Sequence, residues 1–144
     1  MALEAGKDLV LLLDDSGDVQ RTLTSYVLAF RGSFPGHKLI DVTVMGSSGH
    51  IWASDELEDN SFEVDFLFDP TADTGPYAVL KTLRNDTSPR DFEIGPYGST
   101  ATYQKIYGTC WLENFPIEVA LGDMIKLSGC SFKVHGAATF DVWS

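Results

Sequence analysis

Apolar and polar residues alternate along much of this chain, most clearly over residues 61–69. Period-two alternation of this kind is typical of a strand with one buried face. Four apolar residues share one face and two acids the other: Phe62, Val64, Phe66 and Phe68 against Glu63 and Asp65. Similar patterns, separated by Gly, Pro, Asn and Asp, predict strands over residues 7–14, 21–33, 39–45, 62–68, 90–95, 101–114, 115–120, 124–135 and 138–143.

One segment breaks the alternation and predicts a helix over about residues 76–85. Pro76 suits the first helical position, where its missing N–H costs nothing. Val79, Leu80 and Leu83 then form an apolar stripe at helical spacing. The whole pattern predicts a mainly β fold, a β-sandwich or barrel with one flanking α-helix, in a single domain over residues 1–144. Gly136 is expected to end the last core strand and leave a C-terminal tail over about 136–144.

A long polar loop, over about residues 46–60, separates two of these predicted strands. It belongs to a stretch, residues 41–73, that holds nine acids and no Lys or Arg. A loop of roughly 15 residues without elements of its own is longer than compact domains usually carry, and such loops are often functional. The loop is therefore expected to make contacts outside the domain.

Composition and charge reduce the number of function classes that this chain could belong to. A chain of 144 residues that is 44% hydrophobic is long and apolar enough for one folded domain. A net charge of -11 argues against binding nucleic acid through its phosphates.

No stretch approaches the roughly 20 apolar residues of a membrane helix, and the N-terminus lacks the basic region of a signal peptide. We therefore expect synthesis and retention in a cytoplasm. There, Cys110 and Cys130 on neighbouring predicted strands favour reduced core thiols, with a disulfide left open.

No catalytic, cofactor or metal site is predicted. His37, His50 and His135 lack a Cys or second His at metal-ligand spacing. The acids at 55–59 lack the spacing and central Gly of a calcium loop. The tripeptide at 73–75, Asp-Thr-Gly, has no second copy to form the carboxylate pair of an aspartic protease.

Apolar and aromatic residues in loop and tail positions are candidates for subunit contacts, because aromatic anchors are typical of interfaces. Ordinary packing onto the domain's own core is the alternative. The candidate contact residues are Trp52, Leu57, Glu58 and Asp59 in the long loop and Phe140 and Trp143 in the tail.

The chain resembles the major tail protein, or tail tube protein, of long-tailed bacteriophages and related gene-transfer particles. Three stretches carry the resemblance: DDSGDVQRTLTSYVLAF at 14–30, LIDVTVMGSSGHIWASDELEDNSFEVDFLFDPTADTGPYAVLKTL at 39–83, and FPIEVALGDMIKLSGCSFKVHGAATF at 115–140. Feature order, rather than an invariant chemical motif, is what they share with that family.

The resemblance implies a structural virion protein and not an enzyme. It implies hexameric rings that stack into a hollow tube, with the 46–60 loop reaching the neighbouring ring and the terminal arms bracing it. The lumen would be acidic, so that DNA passes without binding; Glu63, Asp65 and Glu113 are the candidate lumen acids. Tape-measure and tail-end proteins would be partners, without cofactors or membrane insertion. The protein would be made and assembled in the host cytoplasm and reside in the virion tail.

Two other classes of function stay open. One is a single-ring tail component, such as a tail terminator, or a tube-like secretion protein with the same fold. The other is a β-sandwich module that binds carbohydrate on an aromatic platform drawn from Trp52, Tyr97, Tyr103 or Trp111. A ring that does not extend would indicate the first, and a monomer whose fluorescence is quenched by glycans the second.

Overall fold

The computed structural model describes residues 9–35, 39–54, 59–69, 75–122 and 124–144. Strands dominate this part of the chain, with one α-helix and a short 3-10 turn at Thr24–Tyr26. The elements are β1 (Val10–Asp14), β2 (Gln20–Thr22), β3 (Val27–Ser33), β4 (Leu39–Asp41), β5 (Trp52–Ser54), β6 (Ser61–Leu67), α1 (Pro76–Leu83), β7 (Arg90–Gly95), β8 (Gln104–Asn114) and β9 (Lys126–Val142).

Seven strands form one antiparallel sheet in the order β2-β1-β7-β8-β9-β6-β3, and β4 pairs with β5 in a separate hairpin. The sheet is strongly curved. Phe62 on β6 and Phe92 on β7 are separated by two intervening strands, which in a flat sheet would put them about 14 Å apart. Their ring centroids are 5.0 Å apart, so the β6 and β7 parts of the sheet curve toward each other over a shared core.

The core contains the apolar face of β6 that the alternation predicts. Phe62, Val64 and Phe66 are buried, and the ring of Phe62 stacks on Phe132 of β9 at 4.8 Å. Helix α1 covers this core with Val79, Leu80 and Leu83. A helix of eight residues is too short to be stable alone, so its packing on the sheet maintains it.

The prediction of a mainly β fold with a flanking helix is confirmed for the described residues. Several boundaries differ. The predicted 21–33 strand is interrupted by the 3-10 turn, the predicted 39–45 strand ends at Asp41, and the helix ends at Leu83 instead of residue 85. The segment at 115–120 forms only one isolated bridge, from Glu118 to Lys126, rather than a strand.

Gly136 does not end the last strand, contrary to the expectation of a separate tail from residue 136. Strand β9 runs without a break to Val142. Its register against β8 shifts between Tyr107 and Thr109, so β9 carries extra residues there. Gly136 has a φ of +74°, a conformation that glycine adopts without the penalty other residues meet, and the strand bulges at this point.

The two cysteines are free thiols, and both are buried. Burial raises the pKa of the Cys130 thiol to about 12 and raises that of Cys110 as well. The open question of a disulfide is thereby answered in favour of two reduced core thiols. Within the described residues, no helix has the length and apolar content to span a membrane.

Candidate subunit interfaces

The predicted lumen acids of β6 lie on the face of the sheet that points away from the core. Arg31 of the neighbouring strand β3 binds both of them: its Nη2 lies 3.2 Å from Glu63 Oε2 and 3.1 Å from Asp65 Oδ1. The register of the strands causes this contact, because Arg31 pairs directly with Glu63. The two carboxylates are therefore partly neutralised by a cation of their own subunit.

Asp65 has a second role that the sequence did not indicate. Between Val64 and Phe66 the register against β9 shifts, and the extra residue on β9 lies near Gly129, whose φ is +80°. The backbone N–H of Gly129 donates to Asp65 Oδ1 at 2.7 Å. Burial acts to raise the pKa of Asp65, but the hydrogen bonds from Arg31 and Gly129 outweigh it and lower that pKa. Asp65 is thus an ionised carboxylate that fixes a bulge.

The third predicted lumen acid, Glu113, lies on the same outer surface. It occupies a bulge of β8, since Leu112 pairs with Phe132 and Asn114 already pairs with Ser131. Glu113 and Glu63 line one shallow cavity of about 170 Å³ on either side of β9, together with Lys133. The structure therefore brings the three acids to one surface, and it adds the cations Arg31 and Lys133 there.

The β4–β5 hairpin spans residues 39–54, a segment that we call the arm. Its bend is held by Asp41, which accepts hydrogen bonds from the backbone N–H of Thr43 at 2.9 Å and from the Thr43 hydroxyl. His50 Nδ1 lies 3.1 Å from the other oxygen of Asp41. The Thr43 hydroxyl, whose hydrogen bond is the largest cause, lowers the pKa of Asp41. These polar contacts add to the backbone hydrogen bonds between β4 and β5 in holding the arm together.

The apolar side chains of the arm are exposed. Trp52, a predicted contact residue, is 54% exposed, and Met45 at the bend is fully exposed. The predicted 46–60 loop therefore contains a strand, β5, and belongs to a hairpin that starts at Leu39. Leu57 and Glu58 lie outside the described residues, and Asp59 makes one exposed contact, 3.5 Å from Lys133. The exposed apolar residues of the arm are Leu39, Ile40, Val42, Val44, Met45, Ile51 and Trp52.

The two predicted contact residues of the C-terminal segment have different environments. Phe140 is 60% exposed, and its only ring neighbour among the described residues is Phe34, edge-on at 5.5 Å. Trp143 is half-buried under the Lys105 ammonium, which lies 4.9 Å from the centre of its ring. The indole Nε1 of Trp143 is buried without a hydrogen-bond partner among the described residues. Phe140 is thus available to a neighbour, whereas Trp143 packs within its own subunit.

A second exposed apolar surface lies in the connection between β8 and β9, residues 115–125, which we call the β8–β9 loop. Leu121 is fully exposed at its turn. The other exposed apolar residues of this loop are Ile117, Val119, Met124 and Ile125. This surface and residues 39–45 of the arm were not among the predicted contacts, because the segments 39–45 and 115–120 were predicted as strands. The apolar residues were visible in the sequence, but their lack of a covering partner was not.

The described residues offer little for catalysis. Asp41 and Thr43 both approach the same nitrogen of His50, Nδ1, at 3.1 and 3.4 Å. The histidine of a catalytic triad instead has one partner on each ring nitrogen. Among the described residues no group of three His, Cys, Asp or Glu could hold a metal ion; His37 and most of the acids at 55–59 lie outside them.

The candidate carbohydrate-binding aromatics do not form one platform. Trp52 is on the arm, and Trp111 is in the middle of β8, where its Nε1 donates to His135 Nδ1 at 3.3 Å. Tyr97 and Tyr103 contact each other, with ring centroids 5.1 Å apart, near the turn between β7 and β8. A stacking surface for a sugar chain would require these rings to be side by side.

Comparison with known proteins identifies the fold. No family model matches the sequence, and no curated protein matches it. The tail of an empty gene transfer agent particle, determined with C6 symmetry, aligns with 97% of this chain and 100% of its own, at 16% identity and a TM-score of 0.75. The native gene transfer agent virion gives the same TM-score and coverage at 18% identity. The SPP1 tail tube aligns with 97% of this chain and 81% of its own, at 11% identity and a TM-score of 0.72. The chain therefore has the fold of these tail proteins.

Proposed function

We propose that this chain is a major tail protein, a structural component whose stacked hexameric rings form the hollow tail tube of a long-tailed phage or gene-transfer particle. The observation that carries the proposal is the likeness over 97% of the chain to the tail of a gene transfer agent, which has C6 symmetry. Because the likeness covers both chains almost completely, it applies to the whole tail subunit rather than to a shared submotif.

The unpaired edges of the sheet support assembly into rings. Strands β2 and β3 end the described sheet on its two sides, so one backbone edge of each has no strand beside it. An exposed edge is a liability in a monomer, and β3, with seven residues, is long enough to pair with another subunit. Rotational symmetry covers such edges in every subunit at once.

The acidic charge on the outer surface of β6 and β8 supports the proposal that this surface faces the lumen of the tube. We assign Glu63, Asp65 and Glu113 to the lumen, where ionised carboxylates repel DNA phosphates. The repulsion acts over about 8 Å at physiological salt, which keeps DNA from adhering to the wall. Arg31 and Lys133 on the same surface partly neutralise the negative charge of these carboxylates. The repulsion is therefore weak enough for DNA to enter the lumen.

The remaining expectations follow from this role. The arm contacts the neighbouring ring, with Trp52 as an anchor, and Phe140 contributes a subunit contact. Tape-measure and tail-end proteins would fill and close the tube. The protein acts without catalysis, is assembled in the host cytoplasm and resides in the virion tail.

The test is negative-stain electron microscopy of the purified protein over a series of concentrations, with sedimentation of the same samples. We expect six-fold rings at low concentration and hollow tubes, with a regular axial repeat, at high concentration. Rings that never extend would refute the tube and indicate a single-ring component. A monomer at all concentrations, with tryptophan fluorescence quenched by a glycan, would refute assembly and indicate a carbohydrate-binding module.

A further inference from the structure

Two aromatic side chains lie in line on the outer face of β8, the face that points away from the core. Cys110 of β8 is buried in the core, and because side chains alternate along a strand, Tyr107 and Trp111 point the other way. They are four residues apart, which is about 13 Å along the strand. Both are half-buried, so part of each ring is open to solvent. We call this pair the aromatic stripe.

A lysine of the subunit already binds to the rings at one end of the stripe. The ammonium of Lys105 lies 4.9 Å from the centre of the Tyr107 ring and 4.9 Å from that of the Trp143 ring. The negative face of an aromatic ring attracts a cation, by about 0.5–1 kcal/mol at exposed sites and more where water is excluded. At the other end, Trp111 contacts His135 edge-on, with ring centroids 6.1 Å apart. The rings of this face therefore have a geometry that binds cations.

Four carboxylates flank the stripe, on the strands to both sides of it and on β8 itself. They are those of Asp91, Glu93, Glu113 and Asp141. Glu93 pairs directly with Tyr107, and directly opposed residues share a face with their Cβ atoms about 5 Å apart. In the part of the chain that the structure describes, none of the four carboxylates is in an ion pair.

The negative charge of this face is not balanced within the described subunit. Lys133, which pairs with Trp111 in the register of the sheet, lies 3.5 Å from Asp59 instead. At the edge of the face, burial is the largest cause and the charge of Asp91 the second in raising the pKa of Asp14. Cations from outside the subunit would balance this charge, whereas anions would be repelled by it.

We propose that the outer face of β7, β8 and β9 is a docking surface for a polypeptide segment rich in Arg and Lys. Its cationic groups stack on Trp111 and Tyr107 and pair with the flanking carboxylates. Arg suits this surface better than Lys, because a planar guanidinium both stacks on a ring and forms paired hydrogen bonds with a carboxylate. The inference goes beyond the proposed function and does not require ring assembly. It is compatible with the lumen proposed above, since a surface that repels phosphates attracts cationic side chains for the same reason.

The first test is a titration of fluorescein-labelled octa-arginine with the purified protein near neutral pH, followed by fluorescence anisotropy. Sedimentation of the same samples records the state of assembly. Trp111→Leu leaves the net charge unchanged but removes the indole, and we expect it to weaken binding at least about fivefold. Trp52→Leu makes the same change on the arm and is expected to leave the affinity unchanged. Circular dichroism confirms that each variant is folded.

The second test removes one carboxylate at a time. Glu93→Gln takes a negative charge from beside the stripe and is expected to weaken binding about threefold, the size of one partly exposed ion pair. Glu118→Gln is the matched control, because it removes the same charge from the exposed β8–β9 loop. We expect the affinity of this control to equal that of the wild type.

The outcomes distinguish a defined surface from attraction by net charge alone. The docking surface would be overturned if wild type did not bind octa-arginine, or if Trp111→Leu bound it as tightly as wild type. Equal losses with Glu93→Gln and Glu118→Gln would overturn it too, since the peptide would then respond only to total charge. Each of these results leaves the proposed function standing, because electron microscopy tests ring and tube formation separately.

Discussion

Replacing Asp65 by alanine should destabilise the subunit far more than replacing its neighbour Glu63. Both carboxylates bind Arg31, at 3.1 and 3.2 Å. Only Asp65 also accepts the hydrogen bond from Gly129 N–H, at 2.7 Å. The side chain of Asp65 is 21% exposed and that of Glu63 is 48% exposed, so solvent weakens the second interaction much more.

The expected loss of stability for each substitution follows from how exposed the lost interaction is. A partly buried N–H that loses its acceptor costs about 2 kcal/mol. An exposed ion pair contributes about 0.2–1 kcal/mol. Since a domain of this size loses about 3 °C of Tm per kcal/mol, we expect Asp65→Ala to lower the Tm by about 6 °C and Glu63→Ala by less than about 3 °C.

The assay is thermal and urea unfolding at a protein concentration where sedimentation shows only monomer. Asp65→Asn adds a control for charge, because its amide oxygen still accepts from Gly129 while the negative charge is lost. The pKa of Asp65 is lowered in the folded protein, so the ionised form stabilises the fold above the unfolded pKa of about 3.9. That contribution is lost as the pH falls through the lower folded pKa. The advantage of wild type over Asp65→Asn should therefore be constant near neutral pH and shrink in acid.

The reasoning would be refuted if Glu63→Ala cost as much stability as Asp65→Ala. It would also fail if the difference between wild type and Asp65→Asn stayed unchanged down to the lowest pH at which the fold persists. Either result would mean that the bulge at Gly129 does not depend on the Asp65 carboxylate.

Three further predictions concern the subunit itself. Cys110 and Cys130 should resist a thiol reagent at pH 8 in the native protein and react fully in denaturant, because both are buried with raised pKa values; a rapid native reaction would contradict this. Gly129→Ala should lower stability by about 1–2 kcal/mol in urea unfolding, since its φ of +80° is unfavourable for a residue with a Cβ. Gly49→Ala, where an added Cβ has open space, should be neutral. Arg90→Met should lower the Tm by several degrees, because the guanidinium binds two carboxylates, one at 2.6 Å and one at 2.9 Å; an unchanged Tm would show those bonds to be dispensable.

Local patterns in the sequence were sufficient to identify most strands and the helix. The alternation around Phe66 and the position of Pro76 act through neighbouring residues, so they do not require knowledge of the fold. The acids of β6 were likewise assigned to the correct face, opposite the core, because alternation in a strand fixes sides directly. The curvature of the sheet and its strand order were beyond local reasoning, since they depend on contacts between distant segments.

At the candidate interfaces, too, local sequence patterns identified some features, and others depended on contacts between distant segments. Trp52 and Phe140, two contact candidates from the sequence, are both exposed in the structure. The apolar alternation around Val44 in the sequence is similar to that around Val64. In the structure Val64 is buried and Val44 is largely exposed. The two patterns differ only in whether another element covers them, and an amphipathic strand does not encode what lies against its apolar face.

The sequence by itself determined the periodicity of the chain, the single helix, the acidic charge and the order of features shared with tail proteins. These properties are set by residue type and short-range spacing. Only the tertiary structure decided that Gly136 allows a bulge within β9 and that Asp65 is bound by Arg31, 34 residues away in the chain. It also decided that apolar side chains at residues 39–54 and 115–125 remain exposed in the described subunit. The physical reason is that backbone conformation responds to neighbours in sequence, whereas burial and charge pairing depend on segments that meet only in the folded sheet.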